Sequence, residues 1–439
     1  MEKNNPEPSV VGVIGIGYVG LPLAICFADV YTVYGYDNST NKIGSLKQGR
    51  SYIEDVSDSL LQKYLDISFF PTNDPDDLAK CDYILIAVPT PIKDDKTPDL
   101  AYVISATETV ASILRKGQTI VLESTTYPGT VDEVMKPILS STGLEFGKDF
   151  FLAYSPERID PGNKTYTIYT TPKVVGGMND TVTKDVASLY QRAIEAPIVT
   201  VGNIQTAEAT KIFENIFRAV NIALVNELSL VFDNMGIDTW EVVHAASSKP
   251  MGFLAHYPGI GVGGHCIPVD PFYLSYKARK NGHMTRFIEL AGEINDYMPI
   301  HTSYLCIDAI SRAGIRLEDA SVCILGMAYK PDTCDTRDSP SIGLLQHIRQ
   351  FVGNVSYYDP YIQDLHIDGT KYVSLSSINE ALDCDCIVIA VPHNGFKTIG
   401  LEEKINASCI KCVVDGANVL NSKTLRDSIH YLSIGHGDI

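Results

Sequence analysis

A cysteine follows a glycine-rich segment in the run GIGVGGHCIPVDP (259–271). Glycines allow the backbone to approach whatever binds there, and a buried structural cysteine does not need that approach. A thiol in this position suits a nucleophile beside a bulky substrate. Asp270 lies four residues after Cys266, within reach if a helical turn begins there. The alternative interpretation is an inert cysteine in a glycine-rich loop.

Lys211 and Asn215 form a second candidate pair, spaced i, i+4 in a segment of helical periodicity, with Arg218 about one turn further. Side chains at this spacing project from one face of a helix. An ammonium and an amide directed at one point can stabilise a developing oxyanion, although a solvated polar face is the alternative. Glu157, in Ser-Pro-Glu-Arg (155–158) after an apolar run, could orient a water as a base.

A glycine fingerprint, Gly15-x-Gly17-x-x-Gly20, follows a strand-like apolar run and opens a helix-like one. Gly15 permits the tight turn, Gly17 lets the backbone approach a pyrophosphate, and Gly20 allows close helix packing. The helix N-terminus then faces the phosphates. Asp37 ends the next strand, where it should accept hydrogen bonds from ribose hydroxyls and repel a 2′-phosphate. The pattern therefore predicts NAD rather than NADP, with a chance glycine-rich turn as the alternative.

Three pairs of segments resemble each other along the chain. CDYILIAVP (81–89) matches CDCIVIAVP (384–392), and the parallels upstream are YGYD (34–37) with YYDP (357–360) and GVIGIG (12–17) with VCILGM (322–327). They predict two β/α-alternating halves with buried parallel strands. The second half keeps Gly326 but lacks the full fingerprint, so we expect it to bind something other than a dinucleotide.

Between the halves, residues 205–235 contain neither glycine nor proline and have apolar positions at helical spacing. This segment predicts a helix about 45 Å long, with more helix to about residue 250 and over 286–313. The expected fold class is α/β, with two Rossmann-like doubly wound domains joined by a long α-helical connector. The predicted boundaries are 1–204 for the NAD domain, 205–312 for the connector that carries the catalytic Lys and Cys, and 313–439 for the C-terminal domain.

Composition excludes several classes of protein. The 439 residues are 45% hydrophobic and 20% charged, as in ordinary globular chains, and the net charge of −18 makes nucleic acid a poor partner. No apolar run reaches about 18–20 residues, and the N-terminus lacks a signal core, so we expect a cytoplasmic protein without a membrane partner. The 10 cysteines are scattered, and Cys409-x-x-Cys412 has no second pair, which favours two buried thiols over a metal or redox site. We predict no metal.

Together the motifs resemble those of the UDP-glucose/GDP-mannose dehydrogenase family. The resemblance spans nearly the whole chain and rests on GIGYVGLP (15–22), AVPTP (87–91), ESTTYPGT (123–130), SPER (155–158), TAEATKIFEN (206–215), GVGGHCIPVDP (261–271) and GMAYKPDTCDTRDSPS (326–341). It implies an N-terminal NAD domain, a helical connector that forms a homodimer, and a C-terminal domain for a UDP-sugar.

The resemblance also implies residue roles. Six residues would be catalytic. Cys266 would be the nucleophile, Lys211 and Asn215 would stabilise oxyanions and position water, and Asp270 would act as a base or an orienting group. Glu157 would assist thioester hydrolysis, and Thr125 would hold the catalytic water or the nicotinamide side. The cofactor would be bound by Gly15, Gly17, Tyr18, Val19, Gly20, Asp37, Lys42, Thr90, Thr125 and Arg337. The sugar nucleotide would be bound by Arg158, Ile159, Lys211, Asn215, Arg218, Tyr257, Gly263, Tyr329 and Lys330.

The implied activity is oxidation of the C6 hydroxymethyl of a UDP-sugar to the carboxylate with two NAD, through a cysteine thiohemiacetal and thioester, with the acid feeding surface polysaccharide. Met251 stands where members that oxidise UDP-N-acetylmannosamine often carry an arginine, and KPMGF (249–253) with RFIELAGEIN (286–295) favours UDP-N-acetylglucosamine. UDP-N-acetylgalactosamine, UDP-N-acetylmannosamine and UDP-glucose are the alternatives. More remote ones are a two-electron hydroxyacid-type dehydrogenase, which has no use for Cys266, and a non-catalytic nucleotide-sugar-binding protein.

Overall fold

The computed structural model describes residues 9–93, 95–159, 165–264 and 266–437. His265 of the cysteine motif and the first eight residues lie outside these ranges. The chain divides into two units, of which the first is Met1–Glu214 with Phe272–His283 and the second is Asn215–Pro271 with Met284–Ile439. The three-domain division with boundaries at 204 and 312 stays a prediction.

The first unit is built on one sheet. Its strands in the described ranges are β1 (Val10–Ile14), β2 (Thr32–Tyr36), β3 (Phe69–Thr72), β4 (Tyr83–Ile86), β5 (Gln118–Leu122), β6 (Phe150–Tyr154), β7 (Lys173–Gly177) and β8 (Ile198–Thr200). They lie in the order β3-β2-β1-β4-β5-β6-β7-β8. β6 and β7 are antiparallel, whereas the other neighbours are parallel. β1 and β4 are neighbours at the point where the strand order reverses, so their carboxyl ends border the crevice where ligands bind in such sheets.

Helices cover this sheet, which explains why β1 and β5 are continuous runs buried on both faces. They are α1 (Gly20–Ala28), α2 (Thr40–Lys47), α3 (Asp58–Tyr64), α4 (Ala101–Ile113), α5 (Lys136–Ser140) and α6 (Asp180–Ala193), with a 3₁₀ segment at Pro75–Lys80 and a π-helical turn at Val131–Met135. Side chains cap several of them. For example, Asn179 accepts the Val182 N–H at the start of α6. α1 is buried along almost its entire length because its sequence is apolar on all sides.

The connector segment contains four helices, namely α7 (Ile204–Asp233), α8 (Thr239–Ser247), α9 (Asp270–Lys280) and α10 (Arg286–Arg312). α7 corresponds to the helix expected over 205–235. In the second unit, α7 and α10 pack through Asn226, whose amide donates to the Asn295 Oδ1 at 2.9 Å. Both amides are buried, so this bond fixes the register of the two helices.

Among the described residues, only α7 is long and apolar enough to cross a membrane, judged by length and composition. A single helix of this kind is weak evidence for a membrane span. Only 33% of its most apolar window is buried within the chain. A large part of its apolar surface therefore remains uncovered.

The second unit contains a smaller parallel sheet. Its described strands are β9 (Ser321–Leu325), β10 (Asn354–Tyr358), the antiparallel hairpin β11 (Asp364–Ile367) and β12 (Thr370–Val373), β13 (Cys386–Ile389), β14 (Cys412–Asp415) and β15 (His430–Ser433). The sheet order is β10-β9-β13-β14-β15. The accompanying helices are α11 (Pro340–Ile348), α12 (Ile378–Ala381), α13 (Asn394–Thr398) and α14 (Leu401–Ala407), with 3₁₀ segments at Leu317–Asp319 and Ser422–Thr424. The second Rossmann-like lobe expected from the repeated segments is thus confirmed.

Candidate functional site

The turn between β1 and α1 has the geometry that a dinucleotide requires. Gly15 has a φ of +90°, and a Cβ there would lie 2.5 Å from the carbonyl oxygen of Ala87. A Cβ on Gly20 would lie 1.9 Å from the Gly15 carbonyl oxygen, so α1 can start this close to β1 only with glycine. A Cβ on Gly17 would meet no atom within 4 Å, which leaves this backbone accessible to a phosphate at the helix N-terminus. The turn fits the pyrophosphate of NAD.

Asp37 lies directly after β2 and is held beside this turn. Its Oδ2 accepts hydrogen bonds from the Ile16 N–H and the Lys42 ammonium, both at 3.1 Å. The carboxylate is thereby fixed where it can accept the hydroxyls of a ribose. Tyr18 is exposed and Val19 half-buried within the turn.

The carboxyl ends of β4 and β5 are joined by Ser124. Its hydroxyl accepts the Val88 N–H at 2.9 Å and lies 2.7 Å from the Val88 carbonyl oxygen. Thr90 and Thr125 are half-buried near this edge. The neighbouring Thr126 is fully buried, and its hydroxyl has no partner among the described residues. Thr126 was not expected from the sequence, where two adjacent threonines give no sign of which one points inward.

Glu157 follows β6 and is fixed by the backbone after it. Its Oε1 accepts the N–H groups of Arg158 at 2.6 Å and Ile159 at 2.7 Å, and its Oε2 lies 3.6 Å from the Lys173 ammonium. Lys173 also binds Glu123 at 2.5 Å. Burial raises the pKa of Glu123 to about 7, against the lowering effect of Lys173. Burial alone would lower the pKa of Lys173, but the two carboxylates outweigh it and hold the pKa above its usual value.

Arg158 has partners within the first unit. Its guanidinium forms a two-point ion pair with Glu214, at 2.6 and 3.2 Å, and donates to the Pro172 carbonyl at 2.6 Å. Its predicted contact with a sugar nucleotide stays a prediction.

Lys211 and Asn215 lie one turn apart on α7 and are 8% and 7% exposed. Because both are buried, the alternative of a solvated polar face does not hold for this pair. The Asn215 amide donates to the Asp270 Oδ2 at 2.5 Å within the second unit. Asp270 is itself buried at the start of α9, whereas Arg218 is exposed.

Cys266 is exposed, and the predicted helical turn does follow it. The Asp270 N–H donates to the Cys266 carbonyl at 2.8 Å, which closes one turn directly before α9. An accessible thiol therefore lies one turn from a carboxylate that an amide holds in place.

The glycines before Cys266 have close neighbours within the second unit. A Cβ on Gly263 would lie 2.8 Å from both the Asp338 carbonyl oxygen and the Tyr329 Cβ. Gly264 has a φ of +83°, and a Cβ there would lie 2.8 Å from the Tyr329 ring. These two glycines thus admit the loop after β9, and the expected contact of Gly263 with the sugar nucleotide stays a prediction.

A cavity of about 240 Å³ opens at the carboxyl ends of β9, β13 and β14. Tyr329 and Lys330 line it together with Trp240. The Trp240 ring stacks on Tyr257 with 5.1 Å between centroids, and its Nε1 donates to the Ile434 carbonyl at 3.0 Å. A fixed aromatic plane and an ammonium at a sheet switch point suit a base and a phosphate.

A buried Asp–His pair fixes the loop that carries Tyr329 and Lys330. The Asp359 Oδ2 accepts the N–H groups of Met327 at 2.6 Å and Ala328 at 3.2 Å, and lies 3.2 Å from the His393 Nε2. Burial would raise the pKa of Asp359, but His393 and the backbone donors outweigh it and lower that pKa. The parallel between YGYD and YYDP was the sequence signal for Asp359.

Other predicted residues have simpler surroundings. Arg337 is half-exposed and forms an ion pair with Asp335. Cys412 is buried but Cys409 is exposed, so the expectation of two buried thiols is wrong for Cys409. Trp240 and Lys173 were missed, because neither lies in a motif. Among the described residues, no cluster of three or more His, Cys, Asp or Glu side chains could hold a metal ion.

Comparisons with known proteins agree with this geometry. Models of the UDP-glucose/GDP-mannose dehydrogenase family match three parts of the chain, namely the NAD binding domain at 9–194, the central domain at 205–297 and the UDP binding domain at 323–422. A UDP-N-acetyl-D-glucosamine 6-dehydrogenase of Pseudomonas aeruginosa is 37% identical over 396 residues, covering 89% of this chain and 92% of that protein.

A relative and a solved structure, both from Pyrococcus horikoshii, match this chain over almost its full length. A UDP-N-acetyl-D-mannosamine dehydrogenase of Pyrococcus horikoshii is 35% identical over 98% of this chain and 100% of that protein. The solved structure described as the UDP-D-ManNAc dehydrogenase from Pyrococcus horikoshii superposes with a TM-score of 0.90 at 34% identity, covering 98% of this chain and 100% of that one. The sequence match and the shared fold over both units establish that this chain belongs to the UDP-glucose/GDP-mannose dehydrogenase family.

Proposed function

We propose that this NAD-dependent oxidoreductase converts the C6 hydroxymethyl of a UDP-N-acetylhexosamine to a carboxylate in a four-electron reaction through Cys266. The sugar alcohol, two NAD⁺ and one water give the uronate, two NADH and three protons. NAD supplies the hydride acceptor for both oxidations. A covalent sulfur explains how one site can hold the aldehyde between the two oxidations, because a non-covalent aldehyde could escape before the second one.

The residues of the chain have distinct parts in this scheme. Loss of the first hydride leaves an aldehyde, and the Cys266 sulfur adds to its carbon to form a thiohemiacetal. Lys211 and Asn215 stabilise the oxyanion formed there, while Asp270 orients Asn215 or takes a proton. Loss of the second hydride gives a thioester. Water, oriented by Glu157, then attacks the thioester carbon, and the carbon–sulfur bond breaks to restore the thiol.

The main support for the proposal is the environment of Cys266. Its thiol is exposed and lies one turn before Asp270, whose buried carboxylate accepts the Asn215 amide at 2.5 Å. A two-electron dehydrogenase needs no such thiol. The NAD fit of the Gly15 turn and the cavity beside Lys330 support the cofactor and the UDP moiety. A reduced thiol also suits a cytoplasmic location.

For the sugar, we propose UDP-N-acetylglucosamine. Two relatives that carry this activity in their names, from Pseudomonas aeruginosa and Salmonella typhi, are 37% and 36% identical. Met251, rather than an arginine, argues in the same direction. UDP-N-acetylmannosamine is the second candidate, because the Pyrococcus horikoshii relative matches over 98% of this chain.

The substrate test is a panel of UDP-hexoses and UDP-N-acetylhexosamines, measured by NADH yield and by mass of the product. We expect two NADH per UDP-N-acetylglucosamine and a uronate product. The variant Cys266→Ser should form no acid, whereas Cys409→Ser, at another exposed cysteine, should match the wild type. One NADH per sugar with an accumulating aldehyde or ketone, or acid formation by Cys266→Ser, would contradict the mechanism. Binding of UDP-sugar without turnover would support a non-catalytic protein.

We also propose that the chain forms a homodimer through the connector helices. Exposed apolar residues repeat every seven positions on α7, at Phe217, Leu224 and Val231, and on α10, at Leu290, Tyr297 and Tyr304. Such a repeat places each set on one helix face, and two continuous apolar stripes of this kind indicate a protein interface. A second copy would present the same stripes, as a two-fold interface requires.

Sedimentation analysis tests the dimer. We expect a dimer for the wild type and a monomer for Leu224→Glu, while Ile67→Glu, at another exposed apolar residue, should remain dimeric. A wild-type monomer would contradict the proposal. Binding of that monomer to lipid vesicles would instead assign the exposed face of α7 to a membrane.

A further inference from the structure

A buried charged cluster lies beside Glu157 in the first unit, and no step of the proposed reaction uses it. It consists of Glu123 directly after β5, Lys173 at the start of β7 and Tyr190 on α6, and Glu157 lies next to it after β6. The side chains of Lys173, Glu123 and Glu157 are 5%, 0% and 14% exposed. A lysine is almost never buried to this degree unless it is paired.

The strand pairing explains why Lys173 faces Glu157. β6 and β7 are antiparallel, and Tyr154 pairs with Gly176. Continuing this antiparallel register by three residues, forward from Tyr154 and backward from Gly176, brings Glu157 opposite Lys173. The Lys173 ammonium reaches Glu123 at 2.5 Å, the Pro156 carbonyl at 3.1 Å and Glu157 at 3.6 Å. It is therefore one cation between two carboxylates.

The two oxygens of Glu157 have different surroundings. Oε1 accepts two backbone N–H groups, which fix the orientation of the carboxylate. Oε2 is buried, lies on the side of Lys173 and has no hydrogen-bond partner among the described residues. Its contact with Lys173 is an ion pair at 3.6 Å and not a hydrogen bond, and a buried acceptor without a hydrogen bond is costly. Oε2 is thus available to accept a proton from a water.

We infer that Lys173 is a positioning residue for the hydrolytic step: its ammonium, held by Glu123, keeps Glu157 anionic and directed so that Oε2 takes the proton of the attacking water. This inference rests on the proposed function, in which Glu157 acts on the thioester.

The carboxylate of Glu123 keeps the charge of Lys173 neutralised during this step. With both carboxylates ionised, the cluster carries one net negative charge. When Glu157 takes a proton from the water, the oxygen of that water bonds to the thioester carbon and the Cys266 sulfur leaves with the bonding electrons. Lys173 is then neutralised by Glu123 alone, so no uncompensated charge remains in the buried cluster.

Other titratable groups facing Glu157 are Tyr190 of α6, Cys26 of α1, and Arg158 with its partner Glu214 of α7. Burial raises the pKa of Tyr190 well above its usual value and the pKa of Cys26 to about 12, so neither ionises near neutral pH. Burial raises the pKa of Glu123 to about 7, so the ionisation of Glu123 contributes to the acid limb of hydrolysis.

The experiment compares Lys173→Met, Lys173→Arg and Glu123→Gln with the wild-type enzyme. Rapid-quench assays measure NADH formed in the first turnover and the thioester, trapped with hydroxylamine. We expect Lys173→Met to form two NADH per site, to accumulate the thioester and to lose about 100-fold in kcat, with KM for both substrates nearly unchanged. Lys173→Arg should recover most of the rate because it keeps the charge.

The pH profile of kcat provides a second readout, and the two variants should move it in opposite directions. Without the ammonium, Lys173→Met favours the neutral form of Glu157, so the acid limb should move to higher pH. In Glu123→Gln, Glu157 is the one carboxylate of the pair that still faces Lys173, so its anion is stabilised more strongly and the acid limb should move to lower pH. The Gln variant keeps the shape of the side chain and reports on the cluster even if Lys173→Met fails to fold.

The positioning role would be overturned if the acid limb of kcat did not move in either variant. It would also be overturned if Lys173→Met lost both oxidations without accumulating the thioester and Lys173→Arg did not recover the rate. If Cys266→Ser still makes acid, the proposed function fails and this inference with it. If acid formation depends on Cys266 but the Lys173 and Glu123 variants lack these signatures, only the inference fails.

Discussion

The two Rossmann-like lobes begin with the same turn and then diverge. Gly15 after β1 and Gly326 after β9 have φ values of +90° and +95°, and each N–H donates at 2.9 Å to the last residue of the neighbouring strand, Tyr36 or Tyr358. Because this geometry needs glycine at both sites, the turn belongs to the strand–helix architecture and is not by itself a sign of dinucleotide binding.

The lobes differ in the length of chain between this turn and the next helix. In the first lobe α1 begins at Gly20, five residues after Gly15, and the backbone at Gly17 faces open space. In the second lobe α11 begins only at Pro340, and the intervening loop packs against Gly263. One lobe thus keeps its backbone donors available for phosphates, whereas the other uses the same position to hold a loop with Tyr329 and Lys330.

The acids after the second strands show the same division. Asp37 accepts the N–H groups of Ile16 at 3.1 Å and Ser39 at 3.0 Å and is reached by the half-exposed Lys42. Asp359 is surrounded by backbone donors and by buried His393. We conclude that Asp359 holds the structure of its own loop, whereas a contact of Asp37 with the NAD ribose stays a prediction.

The largest expected effect comes from closing the first turn. In Gly20→Ala, the new Cβ would lie 1.9 Å from the Gly15 carbonyl oxygen, and α1 must shift. We expect NAD affinity to fall by about 100-fold or more, with UDP binding within twofold of wild type, as measured by calorimetry. Gly44→Ala, where a Cβ meets nothing within 4 Å, is the matched control. Normal NAD affinity in Gly20→Ala would contradict the assignment of this turn.

The second prediction concerns the acid of the second lobe. In Asp359→Asn, an amide would face backbone N–H donors, and we expect a loss of about 2–4 kcal/mol in the free energy of unfolding. The KM for the UDP-sugar should rise while the Kd for NAD stays constant. Asp364→Asn, at an exposed pair with Lys371, should match the wild type.

The pH dependence of this loss has a definite sign. Because the folded pKa of Asp359 is lowered, its stabilisation is present above the unfolded pKa of about 3.9 and fades as the pH falls through the folded value. The gap in unfolding free energy between wild type and Asp359→Asn should therefore narrow below about pH 4. A gap that widens in acid would contradict the role of the ionised carboxylate.

A smaller effect is expected from Asp37→Asn. Removing the negative charge while keeping the shape should raise the KM for NAD about tenfold and reduce discrimination against NADP. Steady-state kinetics with both cofactors measures this ratio. An unchanged ratio would show that Asp37, like Asp359, serves only the fold of its lobe.

The sequence predicted the elements of both lobes because local patterns encode them. The apolar strands, the Gly15 turn and the helix over 205–235 each depend on short-range periodicity or on single glycines. The parallel between YGYD and YYDP aligns Asp359 with Asp37, which indicates its position but not its role. These features needed no knowledge of distant contacts.

The features that the sequence did not disclose depend on long-range pairing. Lys173 faces Glu157 only because β6 and β7 are antiparallel, and no motif marks that register. Gly263 and Gly264 pack against Tyr329, 65 or more positions away in the chain, and no local pattern indicates that contact. The choice between Thr125 and Thr126 likewise depends on which side chain the strand end directs inward.

The last prediction concerns Glu208 on α7, whose titration should be the opposite of that of Asp359. Glu208 is fully buried and accepts the N–H groups of Gly129 at 2.5 Å and Val131 at 3.1 Å. Burial raises its pKa to about 7, because the two backbone donors do not outweigh desolvation. The native state therefore binds a proton that the unfolded state releases near pH 4.3.

Protonated Glu208 thus contributes to the free energy of unfolding below the unfolded pKa, and this contribution is lost as the pH rises through about 7. Between pH 5 and pH 8, the wild type should lose about 2–3 kcal/mol relative to Glu208→Gln, whose amide does not titrate. Denaturant titrations of both proteins at several pH values measure the difference. A difference that stays flat would mean that the N–H groups of Gly129 and Val131 keep the carboxylate ionised, and the two lobes would then treat their buried acids alike.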